Sequence, residues 1–259
     1  MITVTSFANK SVGVLGLGSS GLSAVRALEA GGSDVWAWDD LEEKRENAKS
    51  LGFRLTNLYQ SDMTMIDTLI LSPGISDRYP KPHPLTIRAR EVGCAIICDI
   101  DLLARENNAA RFIGISGTNG KSTTAKLLFE ILRDQNKDVM LAGNIGIPIL
   151  SKNKIKPSTV FVIEASSYQL EYSKYFKTDY AFILNISPDH LERHKSIQKY
   201  THAKYKLILN QNKNFYAFIE NNKYLNREIK KYKNSSKIIK INKNNNKIKK
   251  LISNSYFDN

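Results

Sequence analysis

The sequence predicts an α/β protein made of two successive parallel-sheet units. Three observations carry that prediction. An apolar run, Val12-Gly13-Val14-Leu15, enters a glycine turn, Gly16-x-Gly18-x-x-Gly21, that opens a helix. A second apolar stretch, Phe112-Ile113-Gly114-Ile115, enters another glycine turn, Gly117-Thr118-Asn119-Gly120-Lys121-Ser122, that opens a second helix. Between and after them, short apolar runs end repeatedly in polar or acidic residues. That rhythm belongs to strands alternating with helices across a mostly parallel sheet.

In the first unit, Val12 to Leu15 reads as a buried strand and Gly21 to Ala30 as a helix stopped by Gly31-Gly32. Asp34-Val35-Trp36-Ala37-Trp38 is a second strand, closed by Asp39-Asp40. A third is expected over Met65 to Leu71, before Ser72-Pro73-Gly74, and a short fourth over Ala95 to Cys98. The unit is expected to end near Arg105 to Ala110, which divides the chain into residues 1–107 and 108–259. The second unit is expected to hold strands at 112–115, 139–142, 160–164, 180–186 and 215–219, with helices at 123–134 and 196–209. After Asn221 the pattern weakens, and Ile238 to Ile241 and Ile248 to Ile252 are candidate edge strands.

The 259 residues suffice for two domains of ordinary size, and 42% hydrophobic content fits a soluble globular protein. No run of about 18 apolar residues predicts a membrane span, and the N-terminus lacks a basic region followed by an apolar core. The two cysteines, Cys94 and Cys98, lack nearby partners of metal-ligand spacing and read as packing residues. A cytoplasmic protein is expected. The net charge of +13 suggests nucleic acid, but residues 210–259 alone carry 12 Lys or Arg against 3 Asp or Glu. An Asn/Lys-rich solvated segment explains that excess without a nucleic-acid module, so no nucleic-acid partner is expected.

The turn at 117–122 carries the clearest chemistry. Glycines let backbone N–H groups point inward, Lys121 adds a positive charge, and Ser122 offers a hydroxyl to magnesium. Five positions before Gly120 stands Ile115 where the common phosphate-loop spacing has glycine. Glu164 ends the run Val160-Phe161-Val162-Ile163, so its carboxylate faces the crevice at a parallel strand's C-terminal end, where it could hold magnesium or cap a helix. Asn144 and His190 follow apolar strands in the same way, although each also reads as an ordinary loop residue. His83, His194, His202 and Lys204 carry no site signal from spacing alone. The turn at 16–21 with Asp39 suits a nucleotide-like ligand, NAD included, or a plain tight turn.

Together these stretches resemble the Mur ligases. The resemblance rests on Gly117-Thr118-Asn119-Gly120-Lys121-Ser122-Thr123, Gly143-Asn144-Ile145-Gly146, Glu164-x-Ser166-Ser167-Tyr168-Gln169-Leu170, Asn185-x-x-x-Asp189-His190 and Tyr200-x-x-Ala203-Lys204. It spans roughly residues 10–220 with the motifs in order. Ser72-Pro73-Gly74-Ile75, His83-Pro84 and the opening glycine turn resemble the D-glutamate-adding branch of that family.

The resemblance implies an N-terminal Rossmann-like domain that holds a UDP substrate, followed by a phosphate-loop central domain that binds ATP and two magnesium ions. It also implies that the family's closing third, C-terminal domain is absent from this chain. Ser19, Ser20, Asp39, Ser72 and Gly74 would hold the UDP part, with Asn144 and Ser166 also touching substrate. Gly117, Thr118, Asn119, Gly120, Lys121, Ser122 and Thr123 would hold ATP. Ser122, Glu164, His190 and Lys204, the last as a carbamate, would serve the metals. Lys121, His190, Lys204 and Asn144 would be catalytic. The implied reaction joins D-glutamate to UDP-N-acetylmuramoyl-L-alanine through an acyl phosphate, in a monomer with no membrane partner. The competing readings are another Mur-type or folylpolyglutamate-type ligase, an NAD-dependent oxidoreductase and a non-catalytic nucleotide-binding module.

Overall fold

The computed structural model describes residues 1–107, 109–144, 148–151, 155–232 and 234–241. Two wholly parallel sheets organise them. The first has the order β2-β1-β3-β4, from β1 (Ser11–Leu15), β2 (Asp34–Trp38), β3 (Thr68–Leu71) and β4 (Ala95–Ile97). The second has the order β10-β9-β8-β5-β7-β6, from β5 (Arg111–Ser116), β6 (Val139–Gly143), β7 (Val160–Glu164), β8 (Tyr180–Ile183), β9 (Tyr216–Glu220) and β10 (Lys237–Ile241). Parallel strands need long crossovers, and helices supply most of them. They are α1 (Ser19–Ala30), α2 (Glu42–Ser50), α3 (Pro84–Glu91), α4 (Asp99–Glu106), α5 (Lys121–Asp134), α6 (Ser167–Tyr172), α7 (Leu191–His194), α8 (Ile197–Leu209) and α9 (Lys223–Lys231).

Apolar side chains on the inner strands drive the assembly. Val12, Val14, Phe161, Ile163, Ala181, Ile183 and Ile219 belong to one buried cluster that runs through both sheets. At the first crossover, α1 starts hard against the turn after β1. A Cβ on Gly21 would lie 1.8 Å from the Gly16 carbonyl oxygen, so only glycine fits there.

Buried carboxylates on α4 join the two sheets. Asp101 is fully buried and accepts from Ser173 Oγ at 2.9 Å and from the backbone N–H groups of Lys174, Tyr175 and Phe176 at 2.8–3.1 Å. Asp99 accepts from Gln169 Nε2 at 3.2 Å. Bonds of this kind satisfy a chain segment that has no ladder of its own.

Several elements depart from the sequence expectation. The third strand starts at Thr68 instead of Met65, because Asp62 caps a short 3-10 turn over Met63–Met65 and leaves Met65 62% exposed. β8 stops at Ile183 instead of Ile186, since the chain then turns toward the glycine loop. α1 and α5 each begin two residues earlier than expected. Helix α2 went unread because Ala48 is its only buried residue, which leaves no apolar stripe. Helix α9 hides in Lys-rich sequence, capped by the Asn222 side chain and buried through Leu225 and Glu228. The edge strand expected at 238–241 forms as β10 in parallel register with β9. The one expected at 248–252, together with Ile145 and Gly146, lies outside the described residues.

Replacing Asp101 with Ala orphans three backbone N–H groups and a hydroxyl. A loss of roughly 3–5 kcal/mol in urea unfolding is expected. A loss below about 1 kcal/mol would show that α4 does not depend on this carboxylate.

Candidate functional site

The glycine loop joins β5 to α5. Gly120, in the left-handed region at φ 80°, caps the helix, and α5 then presents its N-terminus to the crevice. A neighbouring segment braces the loop. Asn119 N–H donates to Asn185 Oδ1 at 2.8 Å, Asn185 Nδ2 donates to Asn119 O at 2.9 Å, and Thr118 N–H donates to Asn185 O at 3.0 Å. Thr118 Oγ1 accepts from Ser187 N–H at 3.0 Å and lies 3.3 Å from Tyr200 Oη. Lys121 Nζ donates to Thr118 O at 2.8 Å.

Glu164 lies beside this loop at the end of β7. It is 1% exposed, and Ser122 Oγ donates to its Oε2 at 2.8 Å. Asn144 Nδ2 donates to Oε1 at 3.3 Å, while Asn144 N–H donates to the Glu164 carbonyl at 2.9 Å. That close crossing requires Gly143, at φ 106°, where a Cβ would lie 2.1 Å from the Glu164 carbonyl oxygen. Three motifs far apart in sequence thus meet at one carboxylate.

Lys204 reaches the same crevice from α8. The residue is 2% exposed, and its ammonium donates to Gly117 O at 2.8 Å and stands 4.6 Å from the Tyr200 ring. Burial pushes its pKa down to about 7, the nearby Lys121 charge pushes the same way, and Asp189 and Glu164 oppose both. His190 sits at φ 49° and caps α7, with its ring 5.0 Å from that of Tyr168 and Nε2 3.4 Å from Asp189. His194 is buried instead, bonded to Ser167 Oγ at 3.0 Å, and burial pushes its pKa down to about 4. Ser166 caps α6 through a reciprocal bond pair with Gln169.

Ser19, Ser20, Asp39, Ser72 and Gly74 line a separate cleft of about 700 Å³ at the end of β1. Asp39 is already engaged there. It accepts from Leu17 N–H at 2.7 Å and Leu41 N–H at 2.9 Å, so it shapes the glycine turn. Ser72 Oγ donates to Gly16 O at 2.9 Å. Beside them, Asp40 accepts from Tyr59 Oη at 2.9 Å and pairs with His83 Nε2 at 3.0 Å.

A hard cation fits the buried Glu164. Its carboxylate meets the Ser122 hydroxyl and the Asn144 amide, and no described basic side chain lies within ion-pair range of it. Magnesium keeps water and phosphate ligands and is commonly held by only one or two protein carboxylates. The sequence reading gave no role to Asn185, Tyr200 or Asp40. Asn185 was legible as a polar residue after a strand, but its partner Asn119 is 66 residues away.

Fold and site define a phosphate-loop α/β protein with a second, glycine-turn cleft. Residues 115–258 match the family described as Mur ligase middle domain, and the chain belongs to the Mur ligase family. It is 44% identical over 225 residues to a Phenylobacterium zucineum protein named UDP-N-acetylmuramoylalanine--D-glutamate ligase, covering 85% of this chain and 48% of that one. A protein of the same name from Caulobacter vibrioides is 42% identical, with the same coverage. The chain spans about half the length of these curated relatives. Among solved structures, it resembles UDP-N-acetylmuramate:L-alanyl-gamma-D-glutamyl-meso-diaminopimelate ligase from Neisseria meningitides, with a TM-score of 0.57 at 17% identity. That match covers 90% of this chain and 78% of that one, and supports the fold. No helix of the described residues is long and apolar enough to cross a membrane.

The depressed Lys204 pKa has a stability consequence. Between pH 7 and 10.5 the unfolded chain holds a proton that the folded protein releases, so folding gains stability as pH rises through that window. Below it the cost of the buried charge is fully present. In CO2-free buffer, the stability difference between wild type and Lys204→Met should shift toward wild type by a few kcal/mol from pH 7 to 10. A difference independent of pH would contradict the buried-ammonium account.

Proposed function

We propose that this chain carries the UDP-substrate and ATP sites of a ligase that joins D-glutamate to UDP-N-acetylmuramoyl-L-alanine, working as a cytoplasmic monomer. Residues 1–107 would hold the UDP substrate in the cleft of Gly16, Ser19, Ser20 and Gly74. Residues 108–259 would hold ATP on the loop at 117–123. The observation that carries this reading is the buried Glu164 against Ser122, beside a braced phosphate loop. The named relatives support the choice of substrates.

The reaction would run in two steps. The substrate carboxylate attacks the γ-phosphorus of ATP, ADP leaves, and an acyl phosphate forms. The D-glutamate amine then attacks the acyl carbon, and phosphate leaves as the amide forms. Lys121 would stabilise negative charge on the phosphates, aided by loop N–H groups whose direction Asn185 fixes. Ser122, Glu164, His190 and a modified Lys204 would hold magnesium, which supplies positive charge to the phosphoryl group in transfer. Asn144, anchored on Glu164, and Ser166 would touch the substrate near the reacting carboxylate.

The buried Lys204 suits carbamate formation. A pKa of about 7 gives a substantial neutral amine fraction near neutrality. That amine adds to CO2, forming an N–C bond and releasing a proton. Carbon-13 NMR of the chain equilibrated with labelled bicarbonate should show a carbamate resonance that Lys204→Ala lacks. A spectrum unchanged by the substitution would remove this role.

Substrate assignment is tested by calorimetry with UDP-N-acetylmuramoyl-L-alanine. A Cβ on Gly18 would meet nothing within 4 Å, at a residue that lines the cleft. Gly18→Val should therefore fold normally and weaken the UDP compound at least about tenfold by filling the cleft. Magnesium-ADP binding should be unchanged. No binding by wild type, or binding of NADH in its place, would overturn the substrate reading.

A further inference from the structure

A second cavity, of about 440 Å³, plays no part in that reading. The segment after β3 contributes Arg78 and Tyr79, α8 contributes Lys199, His202 and Lys206, and α9 contributes Lys231. On α8, residues 199, 202, 203 and 206 recur at helical spacing. They form a stripe distinct from that of Tyr200 and Lys204, which serves the phosphate loop.

The charges around this cavity do not cancel. Two of its three carboxylates, Asp77 and Glu228, have close partners, while the buried Oε2 of Glu171 makes no hydrogen bond. Arg90 bonds Asp77, Arg193 lies 3.9 Å from Glu171, and His202 Nδ1 lies 2.9 Å from Glu228. Arg78 only shares Asp77, at 3.6 Å, and Lys206 Nζ donates to the backbone carbonyl of Glu171 at 2.5 Å. Among the described residues, Lys199 and Lys231 meet no carboxylate within 4.0 Å; they lie over the rings of Tyr79 and Tyr232 at 5.2 and 5.0 Å. Four Lys or Arg side chains thus face three carboxylates in the cavity lining, and Arg90 and Arg193 stand behind Asp77 and Glu171.

A concave, partly dry site with excess positive charge concentrates multivalent anions, and its volume fits a small ligand. We propose that this cavity is a second anion site that takes a small phosphate compound with at least two negative charges. Arg78 grips it from the first sheet's side, and Lys199, Lys206 and Lys231 from the second. Occupancy ties the segment after β3 to α8, the helix that positions Lys204.

The test is calorimetry of the chain with inorganic pyrophosphate. Lys199 and Lys231 are exposed, so the Lys199→Ala/Lys231→Ala variant should fold. Its affinity for pyrophosphate should fall at least about tenfold relative to wild type. Lys121→Ala should leave the same event intact, because that lysine belongs to the phosphate loop. Loss of the event in Lys121→Ala with retention in the double variant would place the anion on the loop and overturn the proposal. Absence of saturable binding to wild type would overturn it too. Loss in Lys121→Ala would end this proposal while supporting the phosphate loop as an anion site, so the two readings fail separately.

Discussion

The parallel register of β5 with β7 and β8 is the constraint on which the site depends. Ile115 pairs with Glu164 on one side, and Ser116 pairs with Ile183 on the other. The glycine loop therefore leaves the sheet between the carboxylate that ends β7 and the asparagine that follows β8. A one-residue slip in either pairing would turn Glu164 or the approach to Asn185 to the wrong face. Phe112, Ile115, Phe161 and Ile183 hold the register by burial, so core packing and site geometry are set together.

The loop is braced through polar bonds that tertiary structure supplies. Asn185 takes both an N–H and a carbonyl of Asn119, and Tyr200 and Ser187 meet Thr118. The first N–H groups of α5 have no partner within the helix. Lys204 enters from α8 into the crevice beside the loop, where burial and then the Lys121 charge lower its pKa, and Asp189 and Glu164 offset only part of that. On α4, Asp99 and Asp101 fix the first sheet against the second, which sets the glycine-turn cleft relative to the phosphate loop.

Much of this was legible in the sequence wherever the signal is local. The two glycine turns, the strand that ends in Glu164 and helices α1, α5 and α8 could all be read without a partner; α3, α4, α6 and α7 were not expected. Helices α2 and α9 could not be read, because their burial is slight and their composition is polar. The residues that brace and join were equally silent. Asn185 and Asp101 look like ordinary polar residues until segments roughly 70 residues away fold against them. Asp39 was legible as a strand-end carboxylate, but its engagement with Leu17 and Leu41 was not.

The central claim is that Glu164 and Ser122 form a magnesium-dependent nucleotide site on the phosphate loop. The most direct measurement is calorimetry of ADP with and without magnesium, in wild type and in Glu164→Gln. The account predicts that magnesium tightens ADP binding in wild type and has little effect in the variant, which should still bind ADP through the loop and Lys121. An equal magnesium effect in both proteins, or no ADP binding by folded wild type, would contradict it.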